Sequence, residues 1–242
     1  MRNTKYDIRY TKHDEAGISE IFLSYQGEGP FVGSRQLFVR FYGCNLNCEY
    51  CDTSLESYKC FSREALLGKV LDFDDDYNEL TLTGGEPLLH ADFIRGFLTL
   101  FKRHRDHKVY LETNGTLPEK MKKIIDLVDT IAMDVKLPSS SGSKSGMWNE
   151  HAESIDIAAQ KELVVKAVVT ASTTMDDIKK MGGILSGTER GPVIVLQPVT
   201  PVNENVGVPD GEMMSYFKAY LKKETGLETV VLGQVHKYLG IR

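Results

Sequence analysis

Short apolar runs recur along this chain, separated by stretches in which apolar residues return every three or four positions. The runs predict strands over Gln36–Tyr42, Glu79–Thr83, Lys108–Glu112, Thr130–Val135, Leu163–Thr170 and Val193–Gln197, with a last one near Thr229–Leu232. Several, such as VVKAVV and VIVLQ, place branched apolar residues on successive positions, the pattern of a parallel strand buried on both faces. The helical spacing predicts helices over Arg63–Leu71, His90–His104, Pro118–Leu127, His151–Gln160, Thr174–Leu185 and Asp210–Glu224. Pro118 and Pro209 stand where helices commonly begin.

Strands that alternate with helices build βα units around a parallel sheet, either a partial barrel or a doubly wound sheet. In both, ligands gather at the C-terminal ends of the strands. The polar motifs GCNLNCEYC, TGGEP, ETNG, DVKLPSS and QPVTP all fall at expected strand ends. No stretch reads as a linker between domains, so the 242 residues are expected to form a single domain. Ser139–Gly146 is expected to be a flexible loop by composition, and the acidic run Asp72–Glu79 a solvated connection.

The formal net charge of -5 offers no basic surplus, so no nucleic-acid partner is expected. No apolar run approaches the roughly 18 residues of a membrane span. The N-terminal stretch MRNTKYDIRYTKHDE has no apolar segment of the secretory kind, so a cytoplasmic location is expected. In a reducing compartment, clustered cysteines read as metal ligands or catalysts before disulfides.

Three of the four cysteines, Cys44, Cys48 and Cys51, stand at C-x3-C-x2-C spacing. A structural zinc site wants four ligands, usually from paired C-x2-C knuckles, and only one such pair is present. A redox dithiol would have no use for Cys44. Cys60 reads as a small, buried and inert residue. Thiolates also suit iron–sulfur clusters. A four-iron cluster held by three cysteines keeps one iron free to bind a small molecule.

On this loop the chain resembles the radical S-adenosylmethionine (SAM) enzymes. In that superfamily the open iron chelates SAM, and one electron from the cluster cleaves it to methionine and a 5′-deoxyadenosyl radical. The resemblance implies a partial TIM-type βα barrel, and a glycine-rich strand end that holds the methionine part, here Thr83-Gly84-Gly85-Glu86-Pro87. Rival readings are another radical SAM enzyme, such as a glycyl-radical activase, or a non-enzymatic metal-binding module. The stretch SYQGEGPFVGSRQLFVRFYGCNLNCEYCDT more closely resembles the 7-carboxy-7-deazaguanine synthase family, as does the C-terminal GQVHKYLGIR. That likeness implies a [4Fe-4S] cluster, SAM and Mg2+, a pterin substrate, a flavodoxin or ferredoxin donor, and a homodimer. It implies Cys44, Cys48 and Cys51 on the cluster and Thr53 on magnesium. For SAM it implies Tyr50, Cys51, Asp52, Gly85, Glu86, Asp134, Lys136 and Gln197. Asp134 replaces a serine of the family's S-P-K stretch, while Lys136 is kept. For substrate it implies Tyr25, Gln26, Gly27, Glu28, Arg40, Thr83 and His236. No residue is singled out as catalytic. Residues 1–35 are expected to be a substrate-binding extension, and 226–242 a segment that closes the site.

Overall fold

The computed structural model describes residues 14–53, 57–188 and 191–241. Residues 1–13 of the expected extension and Arg242 lie outside them. Among the described residues one sheet holds nine strands. They are β1 (Glu15–Tyr25), β2 (Arg35–Phe41), β3 (Lys59–Ser62), β4 (Glu79–Gly84), β5 (Lys108–Thr113), β6 (Thr130–Asp134), β7 (Glu162–Val169), β8 (Val193–Pro198) and β9 (Thr229–Val231). The helices are α1 (Arg63–Leu71), α2 (Ala91–Phe101), α3 (Pro118–Met121), α4 (Pro138–Ser141), α5 (Trp148–Ala158), α6 (Met175–Leu185), α7 (Gly211–Thr225) and α8 (Val235–Leu239). Among the described residues no helix is long and apolar enough to cross a membrane.

The lateral order is β3-β1-β2-β4-β5-β6-β7-β8-β9. From β2 across to β9, each parallel strand lies beyond the one before it. A doubly wound sheet would reverse this order at a switch point. Crossovers that always advance the same way put the helices on one face and leave the other to curl around a cavity. The sheet is therefore an open, partial barrel.

Side-chain alternation along the strands divides these two faces. Leu37, Val39, Leu80, Leu82, Ile131 and Met133 point to the helices and join the main core. Their neighbours Arg40, Thr83, Glu112, Asp134, Lys166 and Gln197 line the cavity. The continuous apolar pattern arises because the cavity face also uses Phe38, Val164 and Val168.

Several expected elements differ. The strand β1 falls inside the expected extension and pairs antiparallel with β2, Tyr25 opposite Arg35. Its burial alternates only at Ala16 and Ile18, so its period-two pattern is faint. Cys60, expected to be buried, is exposed on β3, where it pairs with Gly17. The helix expected over Pro118–Leu127 breaks after Met121 and resumes as a 3-10 turn at Ile125–Leu127. Met121, Ile124 and Val128 are still buried at helical spacing, so two short turns satisfy the pattern of one helix. Ser139–Gly146 is not wholly loop: α4 occupies its start and ends at left-handed Gly142. Ser139 Oγ donates to Asp177 at 2.6 Å, and Ser140 and Thr173 share a 2.7 Å bond. Asp210 caps α7 by accepting from the Met213 N–H at 2.7 Å, so Pro209 precedes the cap.

At the end of β4, Gly84 has φ +135°, and a Cβ there would stand 2.1 Å from the Phe41 carbonyl oxygen. Gly68, inside α1, meets nothing within 4 Å. In urea denaturation of cluster-free protein, Gly84→Ala is expected to cost about 3 kcal/mol or more. Gly68→Ala should stabilise by about 0.5–1 kcal/mol. Equal midpoints for the two variants would contradict this reading of β4.

Candidate active site

The cysteine loop leaves β2 through Gly43, whose φ is +92°. Its carbonyl accepts from the Glu86 N–H at 2.8 Å, and the Phe41 carbonyl accepts from the Gly85 N–H at 3.2 Å. A Cβ on Gly85 would stand 2.1 Å from the Gly43 oxygen and 2.9 Å from Cys44 Cβ. The paired glycines thus let the TGGEP turn press its backbone against the cysteine loop. Asn114 ties the loop to β5: its side chain donates to Asn45 Oδ1 at 2.9 Å, while Asn45 donates to Thr116 Oγ1 at 2.8 Å. The Leu46 N–H points at Cys44 Sγ, 3.4 Å away.

A cavity of about 820 Å³ opens beside this loop, within the size range of ligand sites. Every site residue expected from the sequence lines it except Glu86. Glu86 is fully buried. One oxygen accepts from the Leu88 N–H and Thr113 Oγ1, the other from the Asn114 N–H at 2.7 Å. It holds the turn from beneath and, unlike the other expected site residues, does not line the cavity.

Cys44 and Cys48 are half-buried and Cys51 exposed. Burial pushes the Cys44 thiol up to about 11, and raises Cys48 as well. Tyr50, between the last two cysteines, is buried against Val168, Val199 and Val206. Lys136 Nζ stands 5.4 Å from the centre of its ring and 2.7 Å from Asp134 Oδ2. Behind it, the Lys136 N–H donates to His151 Nε2 at 3.0 Å, and His151 Nδ1 lies 3.3 Å from the Gly115 carbonyl. His151 is therefore neutral with its proton on Nδ1, and burial pulls it down to about 4.

The opposite wall comes from residues 25–28, β2, β4 and β5. Gln26 is buried, and its amide nitrogen donates to Glu112 Oε1 at 3.0 Å and Gln36 Oε1 at 3.2 Å. Its oxygen accepts from the Glu28 N–H at 3.1 Å, so Gln26 orients Glu28 and Glu112. Thr83 Oγ1 donates to the other Glu112 oxygen at 2.5 Å. Arg40 Nε donates to Glu20 at 3.0 Å, with its guanidinium 5.5 Å from the centre of the Phe22 ring. Glu28 is paired with Lys166, and Gln234 donates to its second oxygen at 2.7 Å. Burial opposes the Glu28 charge, but these partners outweigh it and hold its carboxyl at about 2.

The α8 segment closes the ring of contacts. The Val235 N–H donates to the Gly27 carbonyl at 2.9 Å, and the His236 ring packs on Gly27, where a Cβ would lie 2.2 Å from Nδ1. Gln234 and Lys237 both reach Asp52 of the cysteine loop. Thr53 and Tyr25 lie on the cavity wall, Tyr25 half exposed. Sequence reading missed Glu112, Lys166, Gln234 and Lys237. A lone charge inside an apolar strand, as in VVKAVV, was the available signal for Lys166.

Residues 38–180 match the family model described as the Radical SAM superfamily. The chain is 32% identical to the 7-carboxy-7-deazaguanine synthase of Geobacter sulfurreducens, over 93% of this chain and 97% of that one. It belongs to the 7-carboxy-7-deazaguanine synthase family of radical SAM enzymes. The synthase of Methanothermobacter thermautotrophicus is likewise 32% identical, over 94% of this chain and 98% of its own. The fold is shared with the crystal structure of QueE from Escherichia coli, at a TM-score of 0.59 and 18% identity, covering 90% of this chain and 93% of that one. It is also shared with Streptococcus suis SuiB bound to S-adenosylmethionine, at a TM-score of 0.56 and 15% identity, covering 79% of this chain and 48% of that one.

Membership of the radical SAM family brings a [4Fe-4S] cluster and SAM, and the residues present fit both. Among the described residues no three His, Cys, Asp or Glu side chains converge where one metal ion would sit. A cluster spreads its thiolates over separate irons, so a loop of three cysteines around one side of a cavity suits it. For SAM, the fit is in the acceptors. Asp134 Oδ1 and Gln197 Oε1 are buried without a hydrogen-bond partner among the described residues, and both residues line the cavity. Buried acceptors of this kind are costly unless a ligand completes them.

His151 supplies a pH test of the scaffold behind Lys136. Its folded pKa lies below the ordinary 6.5, so its contribution to stability is present above pH 6.5 and is lost as pH falls through about 4. The loss amounts to about 3 kcal/mol at about 1.4 kcal/mol per pH unit. In thermal denaturation of cluster-free protein, His151→Asn should flatten the stability slope between pH 6.5 and 4 relative to the unsubstituted chain. Parallel slopes would mean that His151 is not held neutral.

Proposed function

We propose that this chain converts 6-carboxy-5,6,7,8-tetrahydropterin to 7-carboxy-7-deazaguanine with loss of ammonia, a step of queuosine-type 7-deazapurine biosynthesis. One observation carries the reading. The three-cysteine loop meets, in a single cavity, a wall that presents Arg40 together with Glu28 and Glu112. An arginine fork suits the substrate carboxylate. Carboxylates suit the N–H groups on the amino-pyrimidinone edge of a pterin.

When bound, the cluster and SAM supply a one-electron cleavage that yields a 5′-deoxyadenosyl radical able to take a hydrogen atom from substrate. The chain's own residues bind, orient and enclose. Cys44, Cys48 and Cys51 would hold the cluster. Lys136 offers its ammonium to the SAM carboxylate, while Asp134 and Gln197 offer acceptors to SAM donors. Glu20 and Phe22 brace Arg40. Gln26 and Thr83 set the two Glu112 oxygens. The contacts of Gln234 and Lys237 with Asp52 draw α8 across the cavity, which limits the water that a carbon radical would meet.

The proposal extends to magnesium on the Thr53 hydroxyl, with water and substrate oxygens completing a site that needs few protein groups. It extends to a low-potential flavodoxin or ferredoxin as donor, and to a homodimer, both on the family likeness. A cytoplasmic setting keeps the thiols reduced.

The test is anaerobic. Protein reconstituted with iron and sulfide is reduced and given SAM, magnesium and the pterin, and products are read by mass spectrometry. 7-Carboxy-7-deazaguanine should form, and should vanish in Cys48→Ala. SAM cleavage with the pterin untouched would overturn the substrate assignment, and one zinc per chain would overturn the cluster. Arg40→Ala should keep cluster absorption and SAM affinity but raise the pterin KM about tenfold or more, the cost of a lost charged hydrogen bond. Loss of the cluster absorption in that variant would show a structural role instead.

A further inference from the structure

Lys166 lies midway along β7, and its inward-facing strand neighbours are Val164 and Val168. Its side chain is 18% exposed. An ammonium in such surroundings needs counter-charge. It has two sources: Glu28, in direct contact, and Asp134 Oδ2 at 3.6 Å. That same Asp134 oxygen is 2.7 Å from Lys136 Nζ. The order across the cavity is Glu28, Lys166, Asp134, Lys136, with alternating sign. Its first member stands on the wall assigned to the pterin, and its last two at the end of β6 and just beyond it, on the side assigned to SAM.

Asp134 explains itself in this row. A serine there, as in the resembling family stretch, would leave Lys136 without its paired carboxylate and Lys166 with Glu28 alone. The second oxygen of Asp134 is buried and unpartnered among the described residues, so the two lysines do not saturate it.

We propose that Lys166 is a positioning residue that couples the two halves of the cavity, so that pterin and SAM each tighten the binding of the other. The inference rests on the assignment of those two ligands to the two walls. A ligand that donates N–H groups to Glu28 shares its charge and loosens its hold on Lys166. The ammonium then leans toward Asp134, and Asp134 holds Lys136 less tightly. Lys136 is thereby released toward an anionic group on SAM. Linkage makes the effect reciprocal.

The test uses cluster-loaded, unreduced protein under anaerobic conditions, so that no turnover occurs. SAM affinity is measured by equilibrium dialysis with and without 6-carboxytetrahydropterin, and pterin affinity is measured alone. In the unsubstituted protein the pterin should tighten SAM about tenfold, within the usual range of coupling between sites. Lys166→Met and Lys166→Gln should each bind both ligands separately, with the coupling reduced to about twofold or less. Lys166→Arg should keep about fivefold or more, because the charge is retained. Full coupling in either neutral variant overturns the proposal. So does independent binding of the two ligands to the unsubstituted protein, a result that needs no variant to fold and leaves the proposed function standing. Failure of the pterin to bind at all removes the substrate assignment and the coupling together.

Discussion

A charge that faces the inside of a half-closed barrel must find its counter-charge there, because the other face of the sheet is packed with helices. In this chain that requirement organises the cavity. Arg40 answers to Glu20, Lys166 to Glu28 and Asp134, and Lys136 to Asp134. Each partner arrives from a different strand or loop, so the charges fix how those segments meet. Removing one member of such a pair leaves the other uncompensated, at a cost that the partial exposure of these side chains tempers. The polar wall is thus part of the fold as much as a reagent shelf.

Much of this was legible in the sequence. Strand and helix alternation located β2, β4 to β9 and most of the helices. The C-x3-C-x2-C spacing, with TGGEP at the end of β4, located the mouth of the barrel. What escaped has physical reasons. β1 buries only Ala16 and Ile18 deeply, so its alternation is weak, and its pairing with β2 depends on residues that the turn at 26–34 brings back. The break after Met121 escaped because a 3-10 turn and a helix bury the same spacing. Lys166 was hidden by reading VVKAVV as buried on both faces. A polar side chain at one parity of an apolar strand marks a cavity, and Glu112 and Gln197 follow the same rule on β5 and β8.

Glu86 shows how a motif residue can serve by being withdrawn. Its carboxylate gathers the Leu88, Thr113 and Asn114 donors beneath the turn, and burial raises its pKa to about 7. The glycines beside it let two backbones touch. The TGGEP motif therefore builds the seat of the cysteine loop first. Of its residues, Thr83, Gly84 and Gly85 reach the cavity.

The contact between α8 and the loop at 27–28 joins distant parts of the sequence. Gln234, His236 and Lys237 follow every described strand of the sheet, yet they share the cavity wall with residues 25–28. That wall is a seam held by the Val235 N–H on the Gly27 carbonyl and by Gln234 on Glu28, 206 positions away in sequence. A seam made of a few polar contacts can part while the sheet behind it, paired strand to strand, stays whole.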